Sequence, residues 1–121
     1  LTDHSQAATK AQSQRRLRRF TRYRFDARIE ASVFREGRTT VFWGRTNELG
    51  QDGIGATLSG ELQSGEVVSL DFPIPFAPHV IRLRAVVRYN EGLRCGFEFL
   101  VVTDDQRLIL RQLCVMLANA S

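Results

Sequence analysis

The sequence predicts a mainly β fold: a small six-stranded antiparallel barrel with a C-terminal α-helix and a flexible basic N-terminal arm. Three observations carry that reading. From Phe25 to Leu100 apolar residues recur at every second position in short runs, the signature of half-buried strands. Turn-forming clusters rich in glycine, asparagine and proline separate the runs. Only after Thr103 does the apolar spacing lengthen to that of a helix. Closing six short strands into a barrel removes the exposed edges that would otherwise invite aggregation.

Residues 1–14 are polar and rich in Ala, Gln and Ser. They are expected to form a flexible tail, with a short helix conceivable over Gln12–Leu17, and residues 15–121 to form one domain. Phe25, Ala27, Ile29, Ala31 and Val33 alternate with polar residues as the first strand. Glu36-Gly37-Arg38 turns the chain into a second strand, Thr39–Thr46, which carries the one Trp. Asn47–Gly53, with its two glycines, is expected to be a loop. Ile54, Ala56 and Leu58 make a third strand, and Val68, Leu70 and Phe72 a fourth, which Pro73 ends. Ile81 to Tyr89 is a long fifth strand, and Asn90-Glu91-Gly92 turns it into a sixth, Leu93–Leu100. Thr103, with Asp104 and Asp105 behind it, starts the helix. Leu108, Ile109, Gln112, Leu113, Met116 and Leu117 are its expected packing stripe.

Hydrophobic residues are 43% of the 121, with eight Phe, enough for a real core. No apolar run approaches the roughly 18 residues of a membrane span. The chain starts at Leu1 without an apolar leader, so it reads as a piece of a larger protein, and the expected location is the cytoplasm. Cys95 and Cys114 each fall at an apolar position, which predicts reduced core thiols. His4 and His79 have no metal-ligand spacing with each other or with the cysteines, and no nucleophile–base motif is visible. Catalytic residues, metal and cofactor are therefore all expected to be absent.

Charge is concentrated in one place. Six of the ten residues in Arg15–Arg24 are arginine, and no acid lies between Asp3 and Asp26. The net charge is +4, from 17 basic and 13 acidic residues. Without those six arginines, eleven basic residues would face thirteen acidic ones. Lys10 is the one basic residue that is not arginine. Guanidinium is a planar fork that grips phosphate, or the O6/N7 edge of guanine, with two parallel hydrogen bonds. A guanine nucleotide also needs an acceptor for its N1–H and N2–H₂ edge, which a loop carboxylate or amide supplies, and small residues that let the backbone approach.

Arg18-Arg19-Phe20-Thr21-Arg22 contains RxxxR just before the first strand, and Glu48-Leu49-Gly50-Gln51-Asp52-Gly53 follows the second strand as ExGxxG. The order of these segments, with the Arg88–Phe99 hairpin, resembles the PilZ domain family, from Arg15 to the helix end. Its barrels bind the bacterial second messenger cyclic di-GMP through RxxxR and D/NxSxxG. The resemblance implies that Arg18 and Arg22, with Arg19 beside them, clamp guanine and phosphate. It implies that Glu48 or the adjacent Asn47 reads the guanine edge, while Gly50 and Gly53 let the ligand sit on the barrel. Arg15/Arg19 and Arg24/Arg28 share the RxxxR spacing. Two positions depart from the family pattern: Gly50 replaces its serine, and Glu48 its Asp or Asn.

Three functions follow as expectations. The first is a cyclic di-GMP receptor module, coupled to a protein partner or to further domains of a larger chain. The second is a degenerate PilZ-like domain that binds no nucleotide and serves as a protein-interaction module. The third is a nucleic-acid binder with a basic arm, to which Arg82, Arg84 and Arg88 would add charge; no exposed aromatic platform interleaves with those three, so base stacking is not signalled.

Overall fold

The structure, a computed structural model, describes residues 20–120. The expected tail over residues 1–14, the short helix over Gln12–Leu17, and Arg15, Arg16, Arg18 and Arg19 lie outside the described residues. The elements are β1 (Tyr23–Arg24), β2 (Arg28–Arg35), β3 (Arg38–Leu49), β4 (Gly53–Leu58), β5 (Val67–Pro73), β6 (Val80–Glu91), β7 (Arg94–Phe99) and α1 (Asp104–Ala120). Every strand pairing is antiparallel. The strands run β3-β2-β5-β6-β7-β4, and β4 pairs back onto β3, which closes a six-stranded barrel. The expected architecture is present, with β1 as one additional short strand on β3.

The alternation read from the sequence explains the walls. Ile29, Ala31 and Val33 on β2, Val68, Leu70 and Phe72 on β5, and Ile81, Leu83, Ala85 and Val87 on β6 all point inward and are buried. They join Leu49, Ile54, Phe97 and Phe99 in one cluster, with Phe25 set edge-on against Phe72. The β2–β3 turn is Glu36-Gly37, with φ of 51° and 76°. Two consecutive residues with positive φ suit the right-handed twist of the flanking strands.

Three boundaries depart from expectation. The first strand is not continuous from Phe25. Its pairing with β3 slips by one residue between Arg24↔Glu48 and Arg28↔Arg45. The buried Thr46 hydroxyl bridges the break: it accepts from Ala27 N–H at 2.8 Å and donates to the Phe25 carbonyl. β3 also runs on through Asn47, Glu48 and Leu49, so the expected Asn47–Gly53 loop shrinks to Gly50-Gln51-Asp52. Those polar residues are held extended because β1 pairs on one side of them and β4 on the other. Likewise β6 continues through Glu91, leaving Gly92 and Leu93 as the turn.

The helix begins in a capping box. Gln106 N–H donates to Thr103 Oγ1, and Thr103 N–H donates to Gln106 Oε1, each at 3.1 Å. Its buried face is Leu110, Leu113 and Cys114, with Ile109 and Leu117 partly covered. Leu108, Gln112 and Met116 are exposed, although the expected stripe included them. The helix therefore sits rotated from the predicted face. Both cysteines are free thiols and buried, as expected. Burial pushes both thiols up from their ordinary range.

Candidate functional site

Arg22, the described end of the arginine motif, meets the loop motif because β1 lies antiparallel to the end of β3. Tyr23 pairs with Leu49 and Arg24 with Glu48, so residue 22 is carried to the start of the three-residue loop. Backbone bonds hold that loop in shape: Gly50 N–H donates to the Gly53 carbonyl, and Phe99 N–H to the Asp52 carbonyl, each at 2.9 Å.

Glu48 reaches the site because of a bulge. Thr46 and Leu49 both point into the barrel, three residues apart, which strict alternation forbids. Pairing with β4 jumps from Thr46↔Ala56 to Glu48↔Gly55, so Asn47 is the extra residue and Glu48 is turned outward. Asn47 then points elsewhere: its Oδ1 accepts a hydrogen bond from the Thr57 hydroxyl at 3.4 Å. Of the two expected readers of the guanine edge, the structure brings only Glu48 to Arg22.

The Arg22 side chain runs close over Gly50 and Gly53 and is 13% exposed. A Cβ at Gly50 would stand 2.7 Å from Arg22 Cδ, and one at Gly53 would stand 2.7 Å from Arg22 Nη2. The Gly53 position is closed from below as well, because its Cβ would meet the Phe97 carbonyl oxygen at 2.2 Å. Gly50 has an ordinary φ, so space rather than backbone conformation decides what fits there. Arg22 Nη1 is 3.8 Å from Glu48 Oε1, and Arg22 Nε is 3.6 Å from Asp52 Oδ1. Both Nε and Oδ1 are buried and have no hydrogen-bond partner. Asp52 is the residue that sequence reasoning missed. Its place directly before Gly53, in a loop reached by an arginine arm, was the available signal.

Helix α1 packs near β1. Burial raises the Cys114 thiol most; the Asp52 charge raises it further and Arg22 lowers it. The helix therefore lies within electrostatic reach of both charged residues. Of the alternative RxxxR pairs, Arg24 is exposed on β1, and Arg28 lines an open groove on the outer wall with Trp43 and Glu30. Among the described residues no group of three His, Cys, Asp or Glu side chains could hold a metal, and no helix is long and apolar enough to cross a membrane.

The PilZ domain family model matches residues 14–115. A search of curated protein sequences returns no match. Several solved structures share the fold. The PilZ domain with c-di-GMP of YcgR from Escherichia coli has a TM-score of 0.68 at 19% identity, over 85% of this chain and 92% of that one. The PilZ domain of CeSA from a cellulose-synthesizing bacterium has a TM-score of 0.63 at 16% identity, over 81% and 98% respectively. The inhibitor of motility MotI/DgrA from Bacillus subtilis has a TM-score of 0.69 at 21% identity, over 86% of this chain but 52% of that one. With the family model spanning most of the sequence and the closed barrel carrying Arg22 against the loop motif, this chain belongs to the PilZ domain family.

Proposed function

We propose that this PilZ domain is a cyclic di-GMP receptor module, not an enzyme, whose arginine arm closes over the loop between β3 and β4. One observation carries the reading: the Arg22 guanidinium lies on the Gly50/Gly53 floor beside Glu48. That arrangement supports a reading in which a bidentate donor and an acceptor for the guanine edge work side by side, over glycines that give the arm room. Arg22 supplies hydrogen bonds to phosphate or to guanine O6/N7, with Arg18 and Arg19 completing the clamp. Glu48 accepts from the guanine N1–H and N2–H₂ edge. Ordering the arm on binding is the signal that a partner protein or a neighbouring domain would sense.

A second reading also has an observation in its favour. Position 50 has no hydroxyl, and the Arg22 guanidinium stands 3.6–3.8 Å from two carboxylates without a short contact to either. On that reading the domain serves as a protein-interaction module without nucleotide. The nucleic-acid reading gains little from the barrel: Arg35, Arg45, Arg82 and Arg88 are each tied to an acid. Calorimetric titration with cyclic di-GMP, with GTP and a single-stranded oligonucleotide as controls, separates the three. Saturable binding of cyclic di-GMP alone is expected. Heat only with the oligonucleotide would overturn the proposal, and no heat with any of the three would favour the interaction module.

A further inference from the structure

We infer that Asp52 is a built-in lock on Arg22, holding the guanidinium down on the glycine floor until nucleotide displaces it; its effect on affinity rests on the receptor reading above. Two features of the site point this way. Arg22 Nε and Asp52 Oδ1 face each other at 3.6 Å, both buried, with no hydrogen bond to either. That is attraction between opposite charges without the short directional contact that makes such pairs strong. The floor leaves room for the guanidinium only because Gly50 and Gly53 carry no Cβ.

The consequence follows from population arithmetic. Arg22 cannot keep its contact with Asp52 and at the same time turn its fork to a phosphate. If the locked state outweighs the open one by about ten to one, the apparent affinity falls about tenfold. The lock is releasable because nothing hydrogen-bonded is broken when it opens, whereas the ligand offers Arg22 hydrogen bonds that Asp52 does not. Asp52 is therefore a positioning residue that acts through Arg22. Its backbone carbonyl, which receives Phe99 N–H, holds the loop whatever its side chain does.

Asp52→Asn tests this, because it removes the charge, keeps the size, and sacrifices no hydrogen bond to the Oδ1 position. Two readouts are needed. In nucleotide-free, 15N-labelled full-length protein, hydrogen exchange at Arg22 Nε–H should be several-fold faster in D52N than in the parent; unchanged exchange would overturn the lock. In cyclic di-GMP titration, D52N should bind about threefold to tenfold more tightly, the scale expected for freeing one ion-paired arginine. On an Arg22→Ala background the same change should have no effect, closing a double-mutant cycle. Weaker binding by D52N, or equal gains with and without Arg22, would overturn the inference. Nucleotide binding by neither protein would contradict the receptor reading instead, and the exchange rate would then decide the lock alone. Asp52→Ser serves in both readouts if the amide spectrum of D52N changes beyond the loop.

Discussion

Gly50 and Gly53 look interchangeable in the sequence, yet the space above them differs in kind. At Gly53 a side chain would run into the Phe97 carbonyl oxygen, which is backbone and cannot yield. At Gly50 it would meet Arg22 Cδ and Nε, which belong to a flexible side chain. Gly53→Ser is therefore expected to lower the melting temperature sharply. Gly50→Ser should leave it nearly unchanged and tighten cyclic di-GMP binding, since it lifts Arg22 and adds one hydrogen-bond group worth about 0.5–1.5 kcal/mol. Melting curves and calorimetry on both variants check this; a Gly50→Ser protein that folds but binds less well would contradict it. At this scale the motif spacing made Arg22, Glu48 and both glycines legible. Asp52 was not, because its importance comes from where Arg22 lies once β1 has paired with β3. The choice of Glu48 over Asn47 depends on a bulge that alternation in one strand cannot announce.

Thr46 illustrates what an element needs beyond its pattern. Its hydroxyl satisfies the Ala27 N–H and the Phe25 carbonyl where the β1–β2 track breaks, and it is buried. Thr46→Val keeps the shape and leaves both groups unpaired, so it should cost about 1–3 kcal/mol in denaturant unfolding; a neutral result would mean that water replaces the hydroxyl. The helix offers a parallel test. Leu113 is fully buried, whereas Leu108 is 51% exposed. Leu113→Ala should cost about 2–5 kcal/mol, and Leu108→Ala less than about 1 kcal/mol, given the small effect of most surface changes. Equal costs would place the predicted stripe, not the observed one, against the barrel. The helix was legible as an element, but its face was not. Leu108, Val115 and Met116 form an apolar set beside the buried one, and only the barrel surface chooses between them. The ends of β3 were hidden for a related reason: Asn47 and Glu48 are polar, and it is pairing with β1 and β4 that holds them extended.

For the molecule as a whole, strand order and closure were legible because alternation, short turns and the need to protect edges all point to one answer. On the receptor reading, function rests on the meeting of Arg22 with the loop between β3 and β4, and the arm's arginines divide by their place in the sequence relative to Arg22. Arg22 lies on the floor, and Arg18 is its motif partner. Arg15 and Arg16 precede the motif in sequence and are expected to act through water, where screening sets in over about 8 Å at physiological ionic strength. Exposed pairs of that kind are worth roughly 0–1 kcal/mol, while truncating one side of a buried charged hydrogen bond costs about 2–5 kcal/mol. The most direct test is a cyclic di-GMP titration at low and high salt of Arg15→Ala, Arg16→Ala, Arg18→Ala, Arg22→Ala, Arg18→Lys and Arg22→Lys. The account predicts at least about a tenfold loss at positions 18 and 22 at both salts, with no rescue by lysine, which lacks the fork. It predicts small losses at 15 and 16 that fade as salt rises. Equal losses at all four positions, disappearing together in high salt, would contradict it and mark the arm as a diffuse basic surface.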